Sequence, residues 1–310
     1  MDSAHALSFA ALNDRRSKQK PELTFLVIGE HDIDPVPALT RVQRQSEQLS
    51  IPSETIFLDT ALSSDVTSIV RSHPSTRCII PARPFTRHQA VTTGIAESRS
   101  PFVYVITSSA LMTRFSMPSF NTADRARCFM LAPQQFRDGT PLPVVAKGYL
   151  VDDAFSLEYA TGVHFDLTLH MPDGIGIYRR DAFLRLGGFY AGFRHFSAAC
   201  LDLSYRAYAA GLYCAITDDL AVERSGKMTL PSGDTDTRDN LLFHFRNILS
   251  PRYRSISAFI VSRGHSSSEV FTALGLMRLR GTTAAARRTR AHHGIDDDAI
   301  MLFIRANVLH

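Results

Sequence analysis

The segment GIGIYRRDAFLRLGGFYAGFRHFSAACLDLSYRAYAAG, residues 174–211, carries the strongest structural signals in the chain. It opens with a short β-prone run that ends in two arginines, and Asp181 then stands where it can cap a brief helix that Gly187 ends. Ser197 is placed to cap a second helix, in which apolar and aromatic side chains recur at helical spacing as far as Gly211. The segment therefore predicts a strand, a short helix, a double-glycine turn and a longer helix.

Strand-like and helix-like patterns alternate along the chain before this segment. A continuous apolar run at residues 23–28 is typical of a strand buried on both faces of a parallel sheet, and further strand patterns occupy residues 55–58, 77–80 and 102–106. Helical patterns follow the first three runs, at residues 37–49, 65–70 and 88–97. This rhythm predicts an α/β fold with a doubly wound, mostly parallel sheet that is flanked by helices.

The second half of the chain is less regular. Short strand candidates lie at residues 126–131, 144–146, 213–216 and 220–222. From residue 238 the pattern becomes helical and basic, which predicts a helical C-terminal region. Because no internal repeat or low-complexity linker separates the halves, we expect one two-part domain rather than two independent ones.

The composition limits the classes of partner that are expected. Hydrophobic residues make up 45% of the 310 residues, which is enough for a packed core and excludes wholesale disorder. The net charge is only +4, and no basic patch interleaved with aromatic residues occurs, so a nucleic-acid partner is not expected. The four cysteines form no C-x-x-C pair, which predicts reduced thiols in a cytosolic protein rather than zinc ligands or disulfides.

Neither end of the sequence predicts insertion into a membrane. The N-terminal residues lack the apolar core of a signal peptide, and no apolar run reaches the roughly 20 residues that a transmembrane helix needs. We therefore expect a cytoplasmic protein with a loose leader at residues 1–21. An arginine-rich stretch at residues 278–290 permits peripheral contact with a membrane surface, although a solvated helix face is the simpler explanation.

The order of features in residues 174–211 resembles the acceptor-side segment of family-2-type glycosyltransferases, which have the GT-A fold. The resemblance rests on the pair Arg179-Arg180, the turn Gly187-Gly188-Phe189 and the Asp-Leu-x-x-Arg motif that begins at Asp202. It implies that an acceptor-side surface includes Arg179, Arg180, Gly188 and Phe189.

The same resemblance implies a domain organisation. A GT-A-like domain is expected over residues 22–248, with a nucleotide-binding half at 22–110 and an acceptor half at 111–248. The leader at residues 1–21 precedes this domain, and a helical, basic C-terminal region at 249–310 follows it.

The acidic residues that the family uses as a catalytic base are missing from their expected place. In the family, a Glu-Asp pair stands just before the Asp-Leu, and one of its acids is the base. Alignment on Asp202 puts Ala199 and Cys200 at that pair. The substitute candidates are Asp202 itself, which can instead simply pair with Arg206 four residues on, and His195 in the same loop.

The family's metal motif, D-x-D, is also replaced. The motif follows the fourth strand, where this chain has Thr107, Ser108 and Ser109. Hydroxyl groups can bind phosphate, but three neutral oxygens cannot replace two carboxylates as ligands of a divalent cation. We therefore expect no divalent cation bound in the usual way, and no other cofactor is indicated. A literal D-x-D at residues 234–236 lacks a preceding buried strand and is interpreted as a loop.

The nucleotide contacts are predicted from the geometry of parallel sheets, in which ligands bind at the carboxyl ends of the strands. Residues 29–32 and 107–109 follow two of the predicted strands. The candidate nucleotide contacts are therefore these residues, which include Thr107 and Ser109, together with Asp59 and Arg83. The resemblance implies that Asp59 contacts the nucleotide base. A structural role for Asp59, as a turn or capping aspartate, is an equally common use of such a residue.

Two functions fit these observations. One is a glycosyltransferase-like protein that binds a nucleotide sugar and transfers a hexose-type sugar to a glycan, lipid or protein acceptor, with metal-dependent transfer absent or weak. The other is a pseudoenzyme, a GT-A-fold binding or scaffold module that partners an active glycosyltransferase. A dinucleotide-binding protein is disfavoured because no G-x-G-x-x-G follows the first strand.

Overall fold

The computed structural model describes residues 9–12, 19–60, 62, 65–116, 127–151, 154–162, 166–169, 171–225 and 237–247. The predicted basic region at 249–310 and the D-x-D at 234–236 therefore lie outside the described residues.

The N-terminal half has the predicted alternation of strands and helices. Its elements are β2 (Leu23–Gly29), α1 (Val36–Gln48), β3 (Ser53–Asp59), α2 (Val66–Ser72), β4 (Thr76–Pro81), α3 (Arg87–Glu97) and β5 (Phe102–Thr107). These four strands lie side by side in the order β4-β3-β2-β5 and are mutually parallel. All seven residues of β2 are buried, as expected for a central strand that is covered on both faces. The predicted α/β fold with flanking helices is confirmed.

An additional strand lies within the predicted leader. Residues Phe9–Leu12 form β1, which pairs antiparallel with β4 at the edge of the sheet. The expectation of a loose leader is therefore wrong for these four residues. Their sequence, FAAL, is too short to give a strand pattern, and the pairing depends on the open backbone edge that β4 offers.

The second half adds antiparallel strands to the same sheet. They are β6 (Ala110–Phe115), β7 (Cys128–Arg137), β8 (Thr140–Pro141), β11 (Gly176–Arg179) and β12 (Tyr213–Arg224). The full order is β1-β4-β3-β2-β5-β11-β7-β12-β6, with β8 paired to β7, and β12 is parallel to β7. A separate two-stranded sheet contains β9 (Val145–Val151) and β10 (Ala154–Ala160).

Strand β12 corrects one prediction. The sequence favoured two short strands at 213–216 and 220–222, whereas the structure has one continuous strand with a shift of register between Thr217 and Ala221. The shift accommodates the polar residues between the two apolar runs without ending the strand.

Three further helices are α4 (Arg180–Arg185), α5 (Phe196–Ala209) and α6 (Thr237–Asn247). The cap positions of α4 and α5 are Arg179 and His195, each two residues before the predicted Asp181 and Ser197. Asp181 lies in the first turn of α4 instead, because β11 leads directly into this helix. As predicted, Gly187 and Gly211, with φ of 80° and 73°, end the two helices.

The core lies on both faces of the sheet, and β2 shows how alternate side chains divide between them. Leu26 and Ile28 pack on one face, with α3, α4 and α5, while Phe25 and Val27 pack on the other face, with α1 and α2. On the first face, an array of aromatic rings meets edge to face and includes Tyr178, Phe183, Phe189 and Phe196. This array fixes the start of α5 against the sheet. None of the helices in the described part of the chain is long and apolar enough to cross a membrane.

Candidate functional site

The carboxyl ends of β2, β3 and β5 meet at one edge of the sheet. Asp59 pairs in register with Gly29, and Thr107 pairs with Ile28, so the predicted residues on three different strands are neighbours. Asp59 is buried, with 1% of its surface exposed. Arg83 lies exposed in the loop after β4, the strand next to β3. The structure therefore brings Asp59 and Thr107 to the predicted edge, with Arg83 at its margin.

The hydroxyl-rich turn between β5 and β6 is bonded back to the end of β2. Ser108 Oγ accepts a hydrogen bond from the backbone N–H of Glu30 at 2.9 Å. The backbone N–H of Ser109 donates to the Glu30 carboxylate at 3.0 Å, and Thr107 Oγ1 lies 3.0 Å from Ser109 Oγ. All three hydroxyl residues are buried. Where the family has its metal motif, this chain therefore has a turn whose Ser108 and Ser109 are hydrogen-bonded to Glu30.

Two arginines connect this turn to the rest of the edge. Arg87, the first residue of α3, places Nη2 2.6 Å from Glu30 Oε1 and Nη1 3.4 Å from Asp173 Oδ1. Arg224, the last residue of β12, places Nη2 2.8 Å from Asp173 Oδ2 and Nη1 3.4 Å from Thr107 Oγ1. These contacts form one continuous series of charged side chains that ends at a hydroxyl. We call it the arginine network, and its members are Glu30, Arg87, Asp173, Arg224 and Thr107.

The network is buried at Asp173 and Arg224 and partly buried at Glu30 and Arg87, and its charges compensate one another. Burial alone would raise the pKa of Glu30, but the Arg87 guanidinium and the hydrogen bonds from Ser109 outweigh it and hold the pKa below its ordinary value. Burial lowers the pKa of Arg224, while Asp173 opposes this shift. A guanidinium keeps its charge in such surroundings. Arg224 Nε is buried and has no hydrogen-bond partner among the described residues, so one donor of this side chain is unused.

Asp173 joins the two arginines from a strained position. It lies in a 3-10 turn just before β11 and has φ of 54°, in the left-handed region that aspartate adopts at a cost of about 1 kcal/mol. Asp173, Arg87 and Arg224 were not predicted as site residues. Each has an ordinary local setting in the sequence, since Asp173 precedes a glycine at a turn and Arg87 begins a helix after a strand. No spacing in the sequence indicates that these residues or Arg224 would meet in the fold.

The predicted acceptor-side residues separate into two groups. Arg179 pairs in register with Phe102, at the opposite end of β5 from Thr107, and Arg180 donates to the carbonyl oxygens of Ile95 and Ala96, at the end of α3. The structure therefore does not bring these two arginines to the arginine network.

Gly188 and Phe189 lie closer to the start of α5. Gly188 has φ of 64°, and its carbonyl oxygen accepts a hydrogen bond from Arg206 Nη2 at 2.7 Å. The Phe189 ring packs against Phe196 with the ring centroids 4.9 Å apart. These contacts position the turn before α5.

Asp202, one of the two predicted base candidates, is buried inside the protein with none of its surface exposed. Oδ2 accepts from Arg206 at 2.9 Å, and Oδ1 accepts from both Arg246 and Asn247 at 2.9 Å. Burial acts to raise the pKa of Asp202, but the two arginines outweigh it and hold the pKa below its ordinary value. These contacts give Asp202 a structural role in joining α5 to α6, and a role as base stays a prediction.

His195, the other candidate, lies at the cap position of α5 beside a buried carboxylate. Its Nδ1 is 3.2 Å from Asp239 Oδ2, and its backbone N–H donates to the same oxygen at 2.8 Å. The His195 side chain is 53% exposed, whereas Asp239, on α6, has no exposed surface. A histidine that is open to solvent and held by a carboxylate therefore stands where the acceptor side is expected.

The two positions aligned with the family's acidic pair lie inside α5. Ala199 and Cys200 are both completely buried. Burial raises the pKa of the Cys200 thiol, and the charge of Asp173 raises it further. This environment is unfavourable to a negative charge.

No protein-family model and no curated protein matches this sequence. Solved structures do match the fold. GalNAc-T7, solved with UDP, GalNAc and Mn²⁺, matches with a TM-score of 0.61 at 12% identity, over 94% of this chain and 57% of that chain. The chain has a GT-A-like fold.

Two further glycosyltransferases match less closely. S. aureus TarS 1–349 matches with a TM-score of 0.47 at 11% identity, over 74% of this chain and 67% of that one. The mannosyltransferase PcManGT of Pyrobaculum calidifontis, in complex with GDP-Man and Mn²⁺, matches with a TM-score of 0.45 at 12% identity, over 94% and 82%. The present chain spans about 57% of the length of GalNAc-T7.

The residues at the position of the metal motif do not fit the divalent cation that the resemblance implies. Thr107, Ser108 and Ser109 offer neutral oxygens, and the Arg224 guanidinium lies 3.4 Å from the first of them. A divalent cation at that place would be repelled by Arg224, and the neighbouring carboxylates of Glu30 and Asp173 are already paired with Arg87 and Arg224. In the part of the chain that the structure describes, no group of three or more metal-ligating His, Cys, Asp or Glu residues occurs.

Proposed function

We propose that this chain binds a nucleotide sugar at the carboxyl edge of β2, β3 and β5, and that arginines bind its diphosphate without a divalent cation. The observation that carries the proposal is the buried Arg224 guanidinium, which donates to Thr107 at the place of the missing metal motif. The GT-A-like fold supports the location of the site. A planar guanidinium binds two phosphate oxygens at once, so it can supply the positive charge that a cation would otherwise provide.

The arginine network explains how these charges are held ready without a ligand. Glu30 and Asp173 keep Arg87 and Arg224 in place and balance their charge. A diphosphate offers the same kind of oxygen acceptors as these carboxylates, and it can also use the unpartnered Nε of Arg224. When the diphosphate binds, its oxygens therefore replace carboxylate oxygens of Glu30 and Asp173 as hydrogen-bond acceptors for Arg87 and Arg224.

The other predicted nucleotide contacts remain part of the proposal. Asp59 would contact the base or ribose, and the hydroxyls of Thr107 and Ser109 and the exposed Arg83 would contact the rest of the nucleotide. Membership of the family-2-type glycosyltransferases and transfer of a hexose to a glycan, lipid or protein acceptor are likewise proposed.

Thermal unfolding with and without ligand tests the proposal. UDP, GDP, UDP-glucose, UDP-GlcNAc and GDP-mannose are added to the protein in EDTA and, separately, in Mn²⁺. We expect at least one of them to raise Tm equally under the two conditions, because binding to the folded state alone raises stability. Stabilisation that requires Mn²⁺, or no response to any nucleotide, would overturn the proposal.

Substitution of Arg224 locates the site. We expect Arg224→Met to weaken binding of the responding nucleotide at least tenfold by calorimetry, and Arg224→Lys, which keeps the charge but loses the planar fork, to weaken it less. Arg44→Met, which removes an exposed arginine from α1, is the control and is expected to bind normally. Unchanged affinity in both Arg224 variants would place the nucleotide elsewhere.

The second candidate function is a GT-A-fold module without catalysis. It is favoured by the identity of Ala199 and Cys200, because neither is an acid and both are buried at the position where the family has its acidic pair. Metal-independent nucleotide binding together with no release of nucleoside diphosphate from any of the sugar donors would support it.

A further inference from the structure

We infer that His195 and Asp239 form a general-base pair, which takes the proton of the acceptor hydroxyl in place of the acids missing at residues 199 and 200. This inference rests on the proposed function, because it needs a nucleotide sugar bound at the arginine network. Asp239 was not singled out by sequence, since it lies 44 residues from His195 and on a different helix.

The geometry of the pair suits a base. A carboxylate beside Nδ1 favours the tautomer that carries its proton on Nδ1, which leaves the lone pair of Nε2 to accept a proton. Asp239 is itself fixed, because its two oxygens accept the backbone N–H groups of Arg194 and His195 at 2.8–3.0 Å. Arg238 Nη1 also lies 3.3 Å from Asp239 Oδ1. The buried carboxylate thus orients a ring that is 53% exposed and accessible to an acceptor.

The residue that follows His195 in the chain contacts the arginine network. Phe196, the residue after His195, has its ring centroid 5.5 Å from the Arg87 guanidinium carbon. The same ring packs against the backbone of Gly174, the residue that follows Asp173 in the network. His195 therefore directly precedes a residue whose ring contacts both Arg87 and the backbone next to Asp173.

The other titratable groups near this place are less suitable. Asp202 has both oxygens occupied by cationic or amide donors and no exposed surface. His88 packs edge to face on Phe196, but it is only 5% exposed, and burial lowers the pKa of its ring. Among these groups, His195 combines exposure with an orienting carboxylate.

The proposed step is a single displacement. The acceptor oxygen bonds to the anomeric carbon while its proton passes to His195 Nε2, and the bond between that carbon and the diphosphate oxygen breaks. The nucleoside diphosphate leaves with the electron pair, and Arg87 and Arg224 stabilise its charge. Attack from the face opposite the leaving group inverts the anomeric centre.

Hydrolysis of the donor, with water as the acceptor, tests the pair without knowledge of the natural acceptor. Release of UDP or GDP is measured in EDTA, from the nucleotide sugar that stabilises the protein most. We expect His195→Ala to lower kcat about 100-fold, the lower end of the range for loss of a general base, with donor affinity changed less than twofold. In His195→Gly, added imidazole should restore part of the rate.

Asp239 is a positioning residue, and its variant needs a control for folding. We expect Asp239→Asn to lower kcat about tenfold with donor affinity retained, because the amide no longer favours the same tautomer. Asp181→Asn, which removes an exposed carboxylate from α4 and its ion pair with Arg185, is the matched control and should keep the wild-type rate. If Asp239→Asn unfolds, His195→Gln tests the ring alone, because Asp239 keeps its backbone hydrogen bonds.

The outcomes separate this inference from the proposed function. Absence of nucleotide binding in the wild-type protein overturns both. Binding without any hydrolysis, or hydrolysis by His195→Ala at the wild-type rate, overturns the base assignment and leaves the binding proposal intact.

Discussion

Position 200 shows how strongly one buried residue constrains the chemistry of the site. Cys200 is enclosed in α5, and its thiol lies near the carboxylate of Asp173. Because burial and that charge both raise the pKa of the thiol, the position favours a neutral side chain. The environment therefore suits a neutral side chain at a position where the resemblance implies an acid.

We accordingly predict that restoring an acid at this position damages the protein. Cys200→Asp should lower the free energy of unfolding by about 3 kcal/mol or more, because it buries a second carboxylate near Asp173, and Arg87, whose charge also acts at this position, is already paired with Glu30 and Asp173. Cys200→Ser should cost about 1–2 kcal/mol. Urea unfolding measures both values. A Cys200→Asp protein as stable as the wild type, or one that gains Mn²⁺-dependent hydrolysis, would show that the site still accepts the family's acid.

At the scale of elements, α6 holds α5 at two points. Asp239 accepts the N–H groups at the start of α5, and Arg246 and Asn247 bind Asp202 in its middle. Arg246 also stacks on Tyr190, with its guanidinium carbon 3.8 Å from the ring centroid. Helix α6 thus stabilises both the start and the middle of α5.

The buried ion cluster around Asp202 predicts a dependence of stability on pH. The folded-state pKa of Asp202 is lowered, so its contribution is fully present above the unfolded pKa of about 4 and is lost as pH falls toward the folded pKa. Asp202→Asn should therefore lower stability at pH 7 and reduce the loss of stability on acidification below pH ~4. Denaturant unfolding at several pH values measures this. If the free energy of unfolding of Asp202→Asn falls below pH ~4 as steeply as that of the wild type, the prediction is contradicted.

Substitution of Arg246 gives an independent check of the same cluster. Arg246→Met should cost about 2–4 kcal/mol of unfolding free energy at neutral pH, because it removes one of the two cations that balance a buried carboxylate. Arg185→Met breaks an exposed ion pair and should cost less than about 1 kcal/mol, and it serves as the control.

The accuracy of the sequence predictions also varies by element. Strands β2 and β5 were predicted from continuous apolar runs, and β3 and β4 from shorter apolar runs that follow a polar residue. Strand β6 was not, because its buried and exposed residues mix without a clear period. At the site, Asp59 and Thr107 follow strands and could be located from the sequence. Arg87, Asp173 and Arg224 lie on three separate elements, and only the folded sheet order brings them together.

At the scale of the whole molecule, the sheet is protected at the β4 edge by a strand from the beginning of the chain. Phe9 lies opposite Pro81, and Leu12 opposite Cys78, so β1 covers backbone groups of β4 that would otherwise be exposed. The four residues of β1 therefore contribute to the solubility of the fold as well as to its stability.

We predict that removal of residues 1–12 lowers the free energy of unfolding by about 2 kcal/mol and promotes association through the uncovered edge of β4. Thermal unfolding and light scattering measure the two effects. Removal of residues 1–8, which retains β1, is the control and should leave both unchanged. Equal behaviour of the two shortened chains would show that the β1 pairing contributes nothing.

The attachment of α6 has one more consequence. The carboxylate beside His195 and Arg246, one of the two cations that neutralise Asp202, lie on the same eleven-residue helix. Local unfolding of α6 would therefore separate Asp239 from His195, the proposed base, and leave Asp202 with Arg206 as its cationic partner in a single event. Amide hydrogen exchange at the start of α5 would then report the fraction of molecules that are competent for proton transfer, because both depend on the same opening equilibrium.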